Sequence, residues 1–544
     1  MSHPADPKPP KPPDPPLSDA GGGRDHPSRA GAITAAGWRF DPSYQRLPAS
    51  LFSRVDPVPV ARPRLLLLNR PLAAQLGLDA DVLAGDEGTA VLAGNRLPEG
   101  VQAIAQAYAG HQFGHFTILG DGRALLLGEQ LTPDGRRFDV QLKGSGRTPF
   151  SRGGDGRAAL GPMLREYVIS EAMHALGIAT TRSLAVVASG EPVRRQTLLP
   201  GAVLTRVAAS HIRIGTFEWA AAQRDRQALE ALVRHTLNRH YPEADDDAEE
   251  AARPPALRLL ELATARLATL VTRWQMAGFI HGVMNTDNIA LSGETIDYGP
   301  CAFMDAHDPA TVFSSIDHRG RYAYGNQPPI MQWNLARLAE ALLPLVDPDE
   351  TRAIELAKEV LAEFAGRYDS DWLDGMRAKL GLDDGGDGDR QDDRALIERW
   401  LELLTRSGAD FTNSFRLLSE GGTPGALEDS AQRSLLLEAW PGTEDLAAND
   451  ALPGWLGDWR KRLEAGGRPW PATAGAMRRA NPAVIPRNHR VEQALAAAEQ
   501  GDDMGPMERL LEVLADPWQA YPQHSAYRHP PTAGERVLET FCGT

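Results

Sequence analysis

The chain has 544 residues, of which 42% are hydrophobic, and its 57 basic and 72 acidic side chains give a formal net charge of −15. This composition is typical of a globular protein, and the acidic balance argues against a nucleic-acid-binding protein, which presents a basic face. The two cysteines, Cys301 and Cys542, exclude a disulfide framework and favour a reducing compartment, so we expect a cytoplasmic protein.

The composition changes along the chain and predicts a tail followed by three regions. The first sixteen residues contain eight prolines and no apolar signal segment, which predicts a disordered tail over 1–37. No apolar run reaches the ~18–20 residues of a membrane span, so we expect no membrane partner. We predict a β-rich nucleotide-binding region over 38–208, a helical region with the catalytic loop and metal site over 209–440, and a helical extension over 441–544.

Residues 101–131 predict a short helix followed by strands near 116–119 and 124–127. The turn between these strands is Gly120-Asp121-Gly122-Arg123. Glycines allow backbone N–H groups to approach an anion closely, and Arg123 adds a positive charge beside them. An ordinary hairpin turn is the alternative interpretation, because Asp-Gly is a strong hairpin signal.

Residues 138–143 alternate as a half-buried strand that ends at Lys143, and a second glycine-rich loop follows with Asp155 and Gly156. A lysine at the end of a strand can contact phosphate as a point charge. The helix predicted over 161–176 carries Glu166. A strand lysine followed by a helix glutamate is the pair that holds a nucleotide-binding lysine in place. A surface lysine and a solvated glutamate are the alternative interpretation.

Two further strands are predicted at 183–188 and 201–208, and Arg206 and Arg213 follow in positions where forked donors can neutralise polyphosphate. Beyond residue 216 the pattern is mainly helical, and 383–398 is predicted to be a flexible acidic loop. The helices are predicted at 219–223, 226–239, 255–276, 331–345, 350–368, 370–380, 455–465, 491–500 and 507–514.

The stretch over 278–299 holds the candidate chemistry. Asn288 and Asp297 lie on either side of two short apolar runs joined by Ser292-Gly293-Glu294. A tight hairpin would place both side chains at its open end. One amide oxygen and one carboxylate suit Mg²⁺, which uses few protein ligands and keeps waters and phosphate oxygens. A surface hairpin with ordinary turn residues is the alternative.

The order of these elements predicts an α+β, protein-kinase-like two-lobed fold with a C-terminal helical extension. His281 and Asn288 keep the spacing of the kinase catalytic loop, and Asp297-Tyr298-Gly299 stands in the place of its Asp-Phe-Gly turn. The catalytic aspartate of that loop is replaced by Val283, which cannot accept a proton. Asp287 is the nearest carboxylate. It could serve a nucleotide bound in reverse, with nucleotidyl transfer as the result, but the spacing alone does not establish that inversion.

Five segments together resemble the selenoprotein O family, also called the YdiU family, whose members are protein adenylyltransferases with a pseudokinase fold. They run from about residue 100 to 495, and the N-terminal forty residues lie outside the resemblance. The segments are YAGHQFGHFTILGDGRALLLGE, QLKGSGRTPFSRGGDGRAALGPMLREYVISEAMHALGIATTRSL, HIRIGTFE, GFIHGVMNTDNIALSGETIDYGPCAF and NPAVIPRNHRVEQAL.

The resemblance implies a role for each candidate residue. Asp287 would accept the proton, Asn288 and Asp297 would hold Mg²⁺ or Mn²⁺, and Glu166 would pair with Lys143. The residues implied to bind ATP in an inverted pose are Gly120, Gly122, Arg123, Lys143, Asp155, Gly156, Arg206 and Arg213.

The reaction that the resemblance implies is transfer of AMP from ATP to Ser, Thr or Tyr hydroxyls of proteins, with UMP transfer from UTP in bacterial members. Cys542 occupies the place of the selenocysteine that eukaryotic members carry, so a redox switch through Cys542 and Cys301 is a hypothesis, and an inert thiol on a frayed tail is its alternative. A phosphotransferase that uses Asp287 as base and a non-catalytic nucleotide-binding scaffold are the alternative functions.

Overall fold

The computed structural model describes residues 34–242, 253–382, 387–420, 422–429, 433, 437 and 441–541. Nearly all of the predicted tail, the acidic run near residue 250 and Cys542 lie outside the described residues. Within them the protein is a mixed α/β structure with a β-rich N-terminal region and a helical C-terminal region.

The strands of the N-terminal region form one large antiparallel sheet in the order β2-β4-β7-β8-β11-β10-β3, with β1 also on β7 and β9 on β11. Two small ladders, β5-β6 and β12-β13, lie apart from it. The strand bounds are β1 Phe40–Asp41, β2 Phe52–Arg54, β3 Arg64–Leu68, β4 Ile104–Gln106, β5 Ala109–Gln112, β6 His115–Ile118, β7 Ala124–Leu131, β8 Arg137–Lys143, β9 Ala158–Ala159, β10 Arg182–Arg194, β11 Leu198–Ala208, β12 Phe279–Ile280 and β13 Ala302–Phe303.

The sheet is covered on both faces, which explains why its central strands read as nearly continuous apolar runs. Successive side chains of a strand point to opposite faces. Leu125 and Leu127 accordingly pack in one core with the first three helices, whereas Leu126 between them packs in the other core with helix Leu160–Ala175. The sheet therefore holds its strand ends rigidly between two hydrophobic layers.

The helical region packs around one long buried helix, Pro255–Ala277 (α7). This helix contacts the helices Arg226–His240 (α6), Gln327–Val346 (α8) and Glu350–Leu380 (α9). None of the helices that the structure describes is both long and apolar enough to cross a lipid bilayer. The helix bounds are α1 Arg70–Gln75, α2 Ala80–Ala84, α3 Asp86–Leu92, α4 Leu160–Ala175, α5 Ile214–Ala222, α6 Arg226–His240, α7 Pro255–Ala277, α8 Gln327–Val346, α9 Glu350–Leu380, α10 Asp387–Ser407, α11 Phe411–Glu420, α12 Pro424–Glu428, α13 Leu452–Gly466, α14 Trp470–Ala480, α15 Asn488–Gly501 and α16 Gly505–Leu514.

Two predictions for residues 101–131 are wrong. The short helix is absent there, and the residues form β4 and β5 instead. The turn at Gly120 does not close a hairpin, because β6 pairs with β5 whereas β7 pairs with β1, β4 and β8. Pairing with β2 and β7 outweighs the helix propensity of the alanines in this stretch, since tertiary contacts routinely override propensity.

Two predictions for the helical region are also wrong, and one helix of that region is missing from the predictions. The break expected near residue 369 does not occur, and α9 continues through it from Glu350 to Leu380. Most of the expected acidic loop is the first half of α10, because Asp393 is fully buried between Arg377 at 2.8 Å and Arg462 at 2.7 Å. Helix α14 was not predicted.

The end of the chain returns to the middle of the helical region. Thr540 forms a parallel bridge with Ser314, and its backbone N–H donates to the Phe313 carbonyl over 2.7 Å. The Thr540 hydroxyl donates to the Pro300 carbonyl over 2.6 Å. Pro300 directly follows the Asp-Tyr-Gly turn, so the segment around Thr540 is joined to the chain beside the candidate site.

Candidate functional site

Three cationic side chains converge on the carboxylate of Asp297. Lys143 Nζ lies 2.8 Å and Arg206 Nη1 lies 2.6 Å from Oδ1, and Arg213 Nη1 lies 3.1 Å from Oδ2. Lys143 ends β8, Arg206 lies on the neighbouring strand β11, and Arg213 precedes α5. The sheet register places Arg206 opposite Gln141, two residues from Lys143, so both cations point from adjacent strands to the same face of the sheet.

A second carboxylate, Glu166 on α4, anchors two of these cations from behind. Its Oε2 lies 2.5 Å from Lys143 Nζ, and its Oε1 lies 3.1 Å from Arg206 Nη1. The ion pair predicted from the sequence is therefore present in the structure. Arg206 and Glu166 are both buried, so neither can leave the pair without exposing an unpaired charge to a region of low dielectric constant.

The cluster fixes Asp297 in its ionised form. Burial by itself would raise the pKa of this carboxyl, but Lys143, Arg206 and Arg213 hold the pKa well below its ordinary value. The three cations face two carboxylates, Asp297 and Glu166, and a third acid, Asp121, lies 3.8 Å from Arg213. Burial raises the pKa of Asp121.

The predicted hairpin is present and brings Asn288 and Asp297 to the same end. Ile289 and Thr295 form its bridge, and His281 Nε2 lies 3.0 Å from the Ile296 carbonyl, which ties the loop to the hairpin. Asp297 itself has a positive φ of 63°, an uncommon conformation for a residue other than glycine that is enriched in aspartate.

The donor groups of this hairpin fit a hard divalent cation. The Asn288 amide nitrogen donates to the Val283 carbonyl over 3.0 Å, which leaves its oxygen as the atom available to a metal. Asp297 supplies an ionised carboxylate. An amide oxygen and a carboxylate are donors that Mg²⁺ and Mn²⁺ accept together with phosphate oxygens and water. Both Asp297 oxygens also contact Lys143, Arg206 or Arg213, and the metal-binding role of the two residues stays a prediction.

Asp287 is buried in the loop over 281–288, one residue before Asn288, and its Oδ1 has no hydrogen-bond partner. Burial raises the pKa of its carboxyl to about 6, against the opposing charge of Arg213. Gly110 of β5 covers this carboxylate so closely that any side chain there would collide with Oδ1. An orphaned carboxylate with a pKa near neutrality is suited to take a proton from a hydroxyl.

The two predicted glycine loops pack against each other at the end of β8. The Gly144 N–H donates to the Arg123 carbonyl over 2.7 Å, and the Gly146 N–H donates to the Gly156 carbonyl over 3.0 Å. Gly120, with φ +129°, packs directly on the ring of Phe150. Side chains at these glycines would separate the loops, so the sequence requirement for glycine has a packing cause as well as a conformational one.

The remaining loop residues have local packing contacts of their own. Gly122 packs on the Phe150 carbonyl, and Gly156, with φ +69°, lies against the Gly146 carbonyl. Asp155 forms a surface ion pair with Arg195 at 2.9 Å. The structure thus joins Lys143, Glu166, Arg206, Arg213 and Asp297 by direct contact and connects the glycine-loop residues to them through backbone.

Sequence reasoning did not assign a role to Asp121, Gln141 or Tyr108. Gln141 bridges the cluster, because it accepts from Arg206 Nη2 over 2.6 Å and donates to Asp121 Oδ2 over 3.1 Å. Arg213 stacks over the Tyr108 ring at 4.6 Å. The signal for Gln141 was present in the sequence, since it shares a strand face with Lys143 two residues later. Tyr108 carried no comparable signal.

A second group of residues forms hydrogen bonds with the loop that contains Asp287. The Thr286 hydroxyl donates to Glu218 Oε2 over 2.6 Å, and the other carboxylate oxygen lies 2.5 Å from His111 Nδ1. The backbone N–H of His111 donates to the Thr286 hydroxyl over 2.7 Å. These contacts connect α5, β5 and the loop next to Asp287, and they give His111 a hydrogen-bonding role.

Cys301 is the free cysteine that the structure describes. Its thiol is fully buried, and burial raises its pKa to about 12. Because the thiolate is the reactive form of cysteine, burial disfavours reaction at Cys301 in this conformation. The predicted redox partner, Cys542, lies outside the described residues.

The β-rich region and the helical region meet at a buried set of cations, and a carboxylate with a raised pKa lies beside them. Such a site is typical of a transferase that acts on phosphate compounds. The sequence model of the family described as Protein adenylyltransferase SelO matches residues 35–515. The chain belongs to this family.

Curated relatives agree with this family over almost the whole chain. A Brevibacillus brevis protein is 55% identical over 508 residues, which cover 93% of this chain and 98% of the relative. A Rhodopseudomonas palustris protein is 56% identical over 506 residues, covering 93% and 99%. A Rhizobium meliloti protein is 54% identical over 508 residues, covering 93% and 99%. Each of these relatives is named Protein nucleotidyltransferase YdiU.

Proposed function

We propose that this protein transfers AMP from ATP to hydroxyl groups of other proteins and releases pyrophosphate. The observation that carries the proposal is the position of Arg213. Its Nη1 donates to the backbone carbonyl of Asp287 over 2.9 Å and lies 3.1 Å from Asp297 Oδ2. One guanidinium thus contacts both the candidate base and the candidate metal ligand. The two groups are therefore close enough to act on the same phosphate. Membership of an adenylyltransferase family supports the choice of reaction.

The cations of the cluster would bind the triphosphate. Lys143, Arg206 and Arg213 now share the carboxylate of Asp297, and each could turn part of its charge to a phosphate oxygen. Glu166 would keep Lys143 and Arg206 in position while they do so, because it holds them from the buried side. The glycine loops beside Arg123 would bring backbone N–H groups to the same phosphates.

Asn288 and Asp297 would hold Mg²⁺ or Mn²⁺. The ion would screen the charge of the phosphate oxygens and so lower the repulsion that an incoming hydroxyl meets. This chain's own contribution is the placement of the two ligands at one end of a hairpin, with Lys143 on the same carboxylate oxygen as Arg206.

Asp287 would act as the general base. The hydroxyl oxygen of a Ser, Thr or Tyr side chain attacks the α-phosphorus, its proton passes to the Asp287 carboxylate, and the bond to the pyrophosphate oxygen breaks. The elevated pKa of this carboxyl, about 6, favours proton transfer at neutral pH. Val283 stands in the place of a kinase base and cannot perform this step. This replacement supports a kinase-like fold in which the nucleotide is bound in the reverse direction.

The position of the labelled phosphate in ATP distinguishes the candidate functions. The protein is incubated with Mg²⁺, a mixture of acceptor proteins and ATP labelled at either the α- or the γ-phosphate. We expect protein-bound label from α-labelled ATP and none from γ-labelled ATP. Label from the γ position alone would instead establish a phosphotransferase. If Asp297→Ala leaves all labelling unchanged, the signal does not come from this site and a scaffold function is favoured.

The choice of nucleotide and the location of the protein complete the proposal. Competition of unlabelled UTP against α-labelled ATP measures whether UMP is transferred as well. The low cysteine content supports a cytoplasmic location, in keeping with a reducing compartment.

A further inference from the structure

A surface cavity lies between the β5-β6 hairpin and the segment 316–330. It has a volume of about 730 Å³, and its lining includes the apolar side chains of Phe113, Ile316 and Ile330. Ile316 is 54% exposed. We call this cavity the hairpin groove. A concave surface lined partly by apolar side chains is the usual form of a binding site.

The hairpin groove is connected to the candidate base by direct contacts. The Phe113 N–H donates to Asn285 Oδ1 over 3.0 Å, and the Tyr322 hydroxyl donates to the same oxygen over 2.6 Å. Asn285 lies two residues before Asp287, and Gly110 at the start of the same hairpin covers the Asp287 carboxylate. A polypeptide in the hairpin groove would therefore lie within a few residues' reach of the group that accepts the hydroxyl proton.

The accessible charge of the hairpin groove is positive, although the chain as a whole carries −15. Arg319 is exposed, whereas Arg321 is partly exposed, with its Nε and Nη2 buried and its guanidinium stacked on the Trp333 ring at 4.7 Å. The groove also contains one carboxylate, Asp317, but it is buried and accepts the backbone N–H groups of residues 321 and 322 over 2.9 and 2.7 Å. Its charge is thus committed to the turn, and the arginines determine the sign of the groove.

We propose that the hairpin groove is the docking surface for the acceptor protein, and that it selects segments in which acidic and apolar residues accompany the modified hydroxyl. The inference rests on the proposed transfer of AMP to proteins. Apolar contact would come from Phe113 and Ile316, and charge complementarity from Arg319 and Arg321. A surface of this sign favours acidic partners and disfavours basic ones, which is how charged interfaces gain specificity.

Peptide binding tests this surface without any catalytic step. Two fluorescent peptides share one serine and one leucine, and differ in carrying glutamates or lysines at the flanking positions. Binding to the full-length protein is measured by fluorescence anisotropy with Mg²⁺ and an ATP analogue that has a methylene group between the α- and β-phosphates. We expect the acidic peptide to bind and the basic peptide to bind at least about tenfold more weakly.

Surface variants locate the binding. Arg319→Glu and Ile316→Asp are expected to weaken the acidic peptide at least about tenfold. Arg352→Glu is the matched control, since Arg352 is exposed on α9, and it should leave binding unchanged. Binding that is equal for both peptides, or unchanged in Arg319→Glu and Ile316→Asp, overturns the proposal. So does a loss of dimer mass in these variants by light scattering, because the groove would then contact a second copy of the chain.

The proposed function is judged separately on the same samples. Affinity for the ATP analogue reports on the Asp297 cluster, and the groove variants should keep it. If the wild-type protein transfers no label from α-labelled ATP to the mixture of acceptor proteins but the acidic peptide binds through Arg319, the transfer reaction is rejected and the docking surface is retained. If label is transferred but neither peptide binds, the docking surface is rejected and the reaction is retained.

Discussion

Asp287→Asn should abolish most of the activity and at the same time stabilise the protein. The substitution keeps the size of the side chain beneath Gly110 but removes both its charge and its basicity. General base catalysis contributes about 10² to 10⁴ in rate, so we expect turnover to fall by that factor. In the wild-type protein the rate should decline below pH 6, because the Asp287 carboxyl with its pKa of about 6 becomes protonated.

The gain in stability follows from the same carboxyl. Its pKa is about 6 in the folded protein and 3.8 ordinarily, so the folded state binds the proton more tightly and loses stability as the pH rises from about 4 to 6. The difference corresponds to about 3 kcal/mol above pH 6 at 1.36 kcal/mol per tenfold change. Asparagine removes this cost, and the advantage of Asp287→Asn should disappear near pH 4.

The assay is thermal and denaturant unfolding at pH 4.5, 6 and 8, run beside Asp458→Asn. Asp458 is a surface residue, and its substitution should change the free energy of unfolding by less than about 0.5 kcal/mol. A variant Asp287→Asn that is less stable than the wild-type protein at pH 8, or equally stabilised at all three values, would refute the reasoning from burial.

Three further outcomes are expected. Lys143→Met leaves Glu166 with one cation fewer, so we expect the free energy of unfolding to fall by about 3 kcal/mol or more. The affinity for ATP, measured by calorimetry, should also fall. An unchanged affinity would show that Lys143 does not bind the nucleotide. Gly110→Ala should lower turnover at least about tenfold by displacing the base, whereas Gly454→Ala, with open space around it, should not. Cys301 should resist a thiol reagent at pH 8 until the protein is unfolded, because burial raises its pKa to about 12; immediate reaction would contradict the buried position.

The sequence predicted regular elements best where periodicity and packing agree. The helix expected at 161–176 occurs at Leu160–Ala175, and the strand expected to end at Lys143 does so. It failed at 101–131, where strand pairing with distant residues decides the structure. It also failed where Asp393 turns inward, because an acidic run reads as solvated unless its arginine partners, far along the chain, are known.

The candidate site was partly predictable for a similar reason. Lys143, Glu166 and Asp297 stood at recognisable positions of a nucleotide-binding pattern, and the structure joins them. Gln141 and Tyr108 were missed because their importance comes from contacts with Arg206 and Arg213, which lie on other elements. The predicted boundaries at 208 and 440 and the assigned roles of the site residues stay predictions.

The attachment of Thr540 has a consequence for how the molecule is made. Its hydroxyl donates to the carbonyl of Pro300, 240 residues earlier, and its backbone extends the segment at Ser314. During synthesis the Asp-Tyr-Gly turn leaves the ribosome well before this partner exists. Pro300, which follows the turn, therefore receives this hydrogen bond only after 240 further residues have been added, and a chain that stops earlier carries all the cleft residues without it.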